Sequence, residues 1–312
     1  MDFVYILSGA LAIDLTIGEP PLPLHPVVWM GKFTAVWEKW GLNLKPLFQI
    51  IFGTMLTLVT IGLFVIPAYF LMKYLKGWNY PVYIVTGIVL FKTTFSLKEL
   101  RKAAQRIKFS LTDKDLVKAR SGLRALVKRK AHDLSEPLII SATVESVTEN
   151  TCDSIVAPLF YFLILGIPGA MAYRVINTLD AMIGLHGKYE YLGKFAARLD
   201  DVVNIIPARL TALLYVLAAW FSRQNPRGAW SIMVRDHSRT ASPNAGWPMS
   251  AAAGALDVQL IKTGHYQLGD SKGSLVPATI DRALQLMLFS TFSWTILCLA
   301  VEVTRFAITI QA

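Results

Sequence analysis

Apolar positions in this chain come in long uninterrupted runs, not in the alternating or helical-face patterns of a water-facing domain. Leu47–Met72, Ser154–Tyr173 and Ala283–Val301 each approach or exceed the roughly 20 residues that cross a bilayer as a helix. Pro46–Leu75 predicts the cleanest transmembrane helix, with Pro67 as a kink point and Lys73 and Lys76 anchoring its far end. Pro81–Leu97 follows across the turn Lys76–Tyr80, so the two predict a helical hairpin in which Lys92 snorkels or faces the interior. Ala283–Val301, extending toward Ile310, predicts a last span. Phe3–Ile13 is apolar but short and is closed by Asp14; it either completes a span within Met1–Gly18 or dips into the core.

Two runs are broken. Pro158, Gly166, Pro168 and Gly169 interrupt Ser154–Tyr173, a pattern tolerated in lipid where the segment is buried in protein. One straight crossing there and a return through Val202–Phe221 would strand Arg174–Asp201 away from the basic segment described below. A re-entrant hairpin turning near Gly166–Gly169 is therefore expected, with Val202–Phe221 bent at Pro207. The predicted fold is all-α: a polytopic membrane protein of about four to five transmembrane helices plus broken or re-entrant ones. The chain reads as one membrane domain, residues 1–312, with residues 98–135 a basic cytoplasmic helical insertion.

Composition agrees. The chain is 54% hydrophobic and only 17% charged, against about 25% in soluble chains. Its net charge of +10 is concentrated, because Lys98–Lys130 holds twelve Lys/Arg against three Asp/Glu. Basic loops between spans face the cytoplasm. Nucleic-acid binding is not expected, since no aromatic interleaving or recognisable module accompanies the charge. In Lys98–His132 the residues Leu116, Leu123, Leu126 and Val127 form an amphipathic pattern, so helix, turn and helix are predicted. Two cysteines, Cys152 and Cys298, offer no disulfide framework, and the histidines 25, 132, 186, 237 and 265 are too scattered for zinc.

The charges that remain beside apolar sequence are the candidates for chemistry. In Arg198–Arg209 (RLDDVVNIIPAR), Asp201 and Asn204 share a helical face, with Arg198 a turn upstream. Hard oxygen ligands of this kind suit Mg²⁺, and arginines suit phosphate or carboxylate; an Arg–Asp salt-bridge cluster is the structural alternative. In Ile139–Val156, Ser141, Glu145, Thr148, Glu149 and Cys152 fall on one helical face with Asp153 at its margin. Acidic neighbours four apart call for a neutralising cation or arginine. The proline-rich loop Asp14–Lys32 carries Asp14, Glu19 and His25, either as plain structure or to the edge of a site. Ser242–Leu256 reads as a turn-rich loop entering a small-residue helix. No GxxxxGK[ST] or GxGxxG appears, which excludes those nucleotide folds.

These stretches together resemble the adenosylcobinamide-phosphate synthase family, the integral-membrane amide synthases of cobalamin biosynthesis. The likeness is carried by D-x3-GEPP-x3-HPVVWMGK (Asp14–Lys32), ATVESVTENTCD (Ala142–Asp153), Val156–Gly184, ARLDDVVNIIPARL (Ala197–Leu210) and Ser242–Leu256. It implies ATP-dependent amide formation between the corrinoid adenosylcobyric acid and an amino-alcohol phosphate such as aminopropanol phosphate. It also implies Mg²⁺, a multi-pass protein of the cell membrane with its active site toward the cytoplasm, and leaves an oligomer open. On that resemblance Glu145, Glu149, Asp153, Asp180, Asp200 and Asp201 are the catalytic candidates, with Glu145, Glu149, Asp201 and Asn204 as metal ligands. Arg174, Arg198 and Arg209 would clamp phosphate or carboxylate; Asp14, His25, Asn177, Asn204 and Asn244 would position substrate. One departure stands out: where the family usually reads Gly-Arg-Asp-Thr, this chain has Lys128-Arg129-Lys130-Ala131-His132, in which only Arg129 matches.

Two other classes compete. An intramembrane Mg-dependent prenyltransferase also uses paired aspartates, but Asp200-Asp201-x-x-Asn204 has no second copy. A transporter also breaks its helices at charged positions, but no repeated halves are detectable.

Overall fold

A computed structural model describes residues 1–127, 133–185 and 187–311. The departure at 128–132, and His132 and His186, lie outside these residues. Helix makes up 79% of the described residues. In chain order the helices are α1 (Asp2–Thr16), α2 (Pro26–Leu42), α3 (Pro46–Trp78), α4 (Tyr80–Lys92), α5 (Leu97–Thr112), α6 (Leu116–Leu123) and α7 (Glu136–Thr151). A π turn, Cys152–Val156, leads into α8 (Ala157–Ile183), α9 (Lys194–Val203), α10 (Ile205–Phe221), α11 (Pro226–Asp236) and α12 (Gly246–Leu256). A two-stranded antiparallel hairpin, β1 (Leu260–Lys262) and β2 (Tyr266–Leu268), precedes α13 (Pro277–Gln311).

Local sequence explains the boundaries. Pro26, Pro46 and Pro226 open helices at the first turn, where a missing N–H costs nothing. His25, Asn79, Asp115 and Asn225 cap helix N-termini by accepting backbone N–H bonds. Among the described residues four helical stretches are long and apolar enough to cross a membrane: Pro46–Trp78, Tyr80–Thr112, Glu136–Ile183 and Pro277–Thr309. The pair α9 and α10, broken at Asn204, makes a fifth if it is one span. The protein is thus a multi-pass, helical membrane protein. Helix α3 runs through Pro67 without a break. The β-hairpin is an addition to the all-α expectation: LIK and YQL around a Thr-Gly turn are too short to stand out beside the membrane-grade runs.

The chain groups into two compact units. The first comprises Met1–Ser96, Ala157–Asn204 and Cys298–Ala312. In it α8 packs on α2, α3, α4 and α9, with Phe162 stacked on Phe91 at 3.9 Å and on Phe3 at 4.5 Å between ring centroids. Helix α8 is bent at Gly166 (φ 66°, ψ −156°). In a straight helix Tyr161 and Tyr173 would be separated by about 18 Å of axial rise, yet their rings stack at 5.3 Å. The two halves of α8 therefore fold against each other, as the glycine and proline interruptions lead one to expect.

The second unit comprises Leu97–Val156 and Ile205–Leu297. In α5 the buried residues Leu97, Leu100, Ala104, Ile107 and Leu111 recur every three or four positions, so one stripe faces the core while the lysines and arginines stay outside. Leu123 of α6 joins that core, and Leu116, Leu126 and Val127 pack against it, matching the expected amphipathic pair. Helix α7 is buried along nearly its whole length, from Ile139 to Thr148. Helices α11 and α12 pack so closely that a Cβ on Gly254 would collide with the carbonyl of Gly228. That contact explains the run of small residues in Gly246–Leu256.

Candidate functional site

The stretch Asp14–Lys32, expected as a loop, is helical at both ends, in α1 and α2, because Pro26 opens a helix at its first turn, and it forms a buried charge cluster in the first unit. Lys92, 2% exposed, lies 3.1 Å from Asp14 Oδ1 and donates to Glu19 Oε1 at 3.0 Å. A buried ammonium is tolerated only when paired in this way. The N–H of Val27 donates to His25 Nδ1 at 3.2 Å, which places the ring proton on Nε2, 2.9 Å from Glu19 Oε2. Both nitrogens of His25 are thus engaged within the chain. Burial alone would raise the pKa of Glu19, but hydrogen bonds from His25 and Ser96 and the charge of Lys92 hold it at about 2.

The same unit holds three of the six predicted acidic residues, Asp180, Asp200 and Asp201. Helix α9 places Asp200 and Asn204 one turn apart, and Asn204 Nδ2 donates to Asp200 Oδ2 at 2.9 Å. The hydroxyl of Tyr173 donates to Asn204 Oδ1, also at 2.9 Å, so the amide bridges α8 to the carboxylate. Asn177 lies beside Asp200, and Asp180 and Asp201 are close enough to repel its charge. Oδ1 of Asp200 is buried and has no hydrogen-bond donor among the described residues. Asp201 turns away to the exposed guanidinium of Arg198, 3.7 Å distant, which is the ion pair weighed from the sequence. Arg174 is half-buried on α8, one turn before Asn177.

In the second unit the acidic helix α7 has divided its residues. Glu145 is buried, whereas Glu149 is exposed and Asp153 half-buried in the π turn. Glu145 Oε1 accepts from Ser141 Oγ at 2.7 Å, and Oε2 accepts from the Tyr266 hydroxyl at 2.9 Å. Ser141 Oγ in turn accepts from the N–H of Ile261 at 2.7 Å. This carboxylate ties the β-hairpin to α7. Arg209 and Asn244 do come together: Arg209 Nη1 donates to Asn244 Oδ1 at 3.3 Å, and its guanidinium sits 4.8 Å from the centre of the Trp247 ring. His237 stacks on the same indole at 4.0 Å.

A fit test for Mg²⁺ follows from these contacts. Among the described residues no three His, Cys, Asp or Glu side chains form a metal-holding group. Mg²⁺ with a nucleotide needs only one or two carboxylates, the rest of its shell being phosphate and water. Asp200 Oδ1, with Asp180 beside it, fits that donor set. Asn204, by contrast, already uses its oxygen to accept from Tyr173, and Glu145 has both oxygens engaged. Sequence reasoning missed Tyr173, Tyr266 and Trp247, because aromatic residues among apolar ones carry no mark of a polar partner; their hydroxyl and indole contacts appear only on folding.

Comparison with known proteins identifies relatives along almost the whole chain. The chain is 49% identical over 301 residues to the Cobalamin biosynthesis protein CobD of Dehalococcoides mccartyi (strain CBDB1), covering 96% of this chain and 98% of that one. It is 43% identical to the Probable cobalamin biosynthesis protein CobD of Methanothermobacter thermautotrophicus, over 93% of this chain and 96% of the relative. A Geobacter metallireducens Cobalamin biosynthesis protein CobD is 39% identical, over 84% and 82%. No solved structure matches the chain. The family model described as CobD/Cbib protein matches residues 7–287, and with relatives this similar along almost their full length the chain belongs to the CobD/Cbib family.

Proposed function

We propose that the protein acts late in cobalamin biosynthesis, joining adenosylcobyric acid to an amino-alcohol phosphate in an ATP-dependent amide synthesis that yields adenosylcobinamide phosphate, ADP and phosphate. The relatives' names support the pathway, and the resemblance read from the sequence supports the reaction. The observation that carries it is the buried carboxylate of Asp200, held by Asn204 with Asp180 and Asn177 beside it.

The chemistry sets the requirements. A carboxylate does not acylate an amine unactivated; phosphorylation by ATP converts it to an acyl phosphate, the amine nitrogen attacks the carbonyl carbon, and phosphate leaves. The amine must shed its ammonium proton first, and Asp180 is the acceptor assigned to it. Asp200, through Oδ1, would hold Mg²⁺, which would supply charge neutralisation on the nucleotide phosphates. Asn204 and Tyr173 fix the Asp200 carboxylate by filling its other oxygen and the amide behind it. In the second unit Arg209, braced by Asn244 and Trp247, carries a guanidinium whose chemistry suits a phosphate or a carboxylate. The active site is assigned to the cytoplasmic side of the cell membrane, in keeping with the basic segment.

The test is conversion of adenosylcobyric acid, ethanolamine phosphate or aminopropanol phosphate, and Mg-ATP by the purified protein, read by mass spectrometry of the corrinoid. Product formation that Asp200→Asn abolishes supports the reading. Full activity in Asp200→Asn, or no amide under any substrate pairing, overturns it.

A further inference from the structure

The β-hairpin of the second unit walls a cleft of about 610 Å³. Its chemistry is one-sided. Arg239, Lys262 and His265 line it together with Thr263 and Gln267, and no carboxylate does. Lys262 Nζ lies 5.6 Å from the Tyr266 ring centre and has no ion-pair partner among the described residues. Arg239 is held from behind: its Nε is 3.2 Å from Asp236 Oδ1 and its Nη1 reaches the Gln267 carbonyl at 3.4 Å. Asp236 is itself buried, and its Oδ2 accepts from the N–H of Gly269 at 2.8 Å, just after β2.

The hairpin is also fixed in place. Ile261 is bonded to Ser141, Tyr266 to Glu145, and the strands pair Leu260 with Leu268. The Arg239 guanidinium is therefore held in position before any ligand arrives, and the backbone that carries Lys262 is fixed by the strand pairing, which reduces the ordering cost of binding. The volume is in the range of small-molecule sites. A guanidinium braced by one buried carboxylate and an ammonium with no ion-pair partner among the described residues, both lining one cleft, are the recognition elements of a phosphate group.

We propose that this cleft binds the phosphate end of a small phosphorylated molecule, with Arg239 and Lys262 as the charge-bearing residues. Two sources share that chemistry, a nucleoside triphosphate and an amino-alcohol phosphate. Titration calorimetry on the full-length protein in detergent separates them, using metal-free ATP in one arm, ethanolamine phosphate in a second and inorganic phosphate in a third. Arg239→Gln and Lys262→Gln should each weaken the arm that binds about tenfold, Lys262→Gln without shifting the thermal midpoint. Lys272→Gln, on an exposed lysine outside the cleft, should leave it unchanged. ATP alone binding assigns the cleft to a nucleotide; ethanolamine phosphate alone assigns it to the amino alcohol. Binding of inorganic phosphate with equal strength assigns it to phosphate as such. No binding in any arm, binding insensitive to both cleft variants, or equal weakening by Lys272→Gln overturns the proposal. Because binding is read directly, loss of amide synthesis would not count against it.

Discussion

Tyr266 donates its hydroxyl to Glu145 at 2.9 Å across 121 residues of chain. This bond joins the hairpin to the most acidic helix of the second unit, and it makes Glu145 a residue that positions the hairpin. Tyr266→Phe removes the donor and keeps the ring. A hydrogen bond to a charged group is worth about 1.5–3 kcal/mol, so the thermal midpoint should fall. Amide hydrogens of Ile261 and Leu268 should exchange faster than in the parent. Unchanged exchange at both positions would mean that the strand pairing alone holds the hairpin.

Asn204 has both ends of its amide occupied, by Tyr173 and by Asp200. Asn204→Ala strands a buried tyrosine hydroxyl and a carboxylate oxygen, at roughly 1–3 kcal/mol for each unsatisfied group. Tyr173→Phe removes one of the two bonds and should cost about 1 kcal/mol. Comparing thermal midpoints of the two variants separates these contributions. On the proposed mechanism Asn204→Ala should also lose most of its amide synthesis at a temperature where it remains folded. A variant that is folded and fully active would show that Asp200 needs no such brace.

The sequence made the membrane helices legible because lipid demands long apolar runs, and Pro46–Leu75 lies within the observed α3. It made the break at Gly166 legible through glycine and proline inside a run that should otherwise be straight. Arg198 and Asp201 were legible as an i, i+3 pair, and they do pair. Which carboxylate stands apart from the pairs was not legible. Asp200 and Asp201 are adjacent and chemically identical, and only the 100° step between them on α9 sends one toward Asn204 and Asp180 and the other toward Arg198. The face drawn through Glu145 and Glu149 misled in a similar way. Burial depends on what packs against α7, and the covering hairpin reaches the first glutamate while the second stays exposed.

Glu19 gives a pH signature. Its folded pKa of about 2 lies below the ordinary value of 4.5, so folding favours the ionised form. The stabilisation is complete above pH 4.5 and is lost as pH falls through 2. Glu19→Gln should therefore lower the thermal midpoint by a constant amount between pH 7 and pH 5. The gap between parent and variant should then close as the pH drops from 4.5 toward 2. Scanning fluorimetry in detergent at pH 7, 5, 3.5 and 2.5 measures it, and a gap unchanged at pH 2.5 would show that the Lys92 cluster does not depend on this charge.

The bend at Gly166 has a backbone cause that mutation isolates. Its φ of 66° with ψ of −156° lies in a region open essentially to glycine alone, which costs other residues about 1–3 kcal/mol. A Cβ there would meet nothing closer than Pro168 Cδ at 3.9 Å, so Gly166→Ala tests conformation and not packing. Its thermal midpoint should fall. Gly77→Ala, in α3 with nothing within 4 Å of the added methyl, should hold or gain up to about 1 kcal/mol. On the proposed re-entrant topology, folding the halves of α8 together returns Asp180 to the face from which Ala157 entered. Single cysteines at Asp180→Cys and Asp200→Cys, with Cys152 and Cys298 replaced, should resist an impermeant maleimide added to intact cells and react once the membrane is opened. Labelling of both from outside would mean that the segment crosses the bilayer, and Gly166 would then be a kink in a span and not the tip of a re-entrant loop.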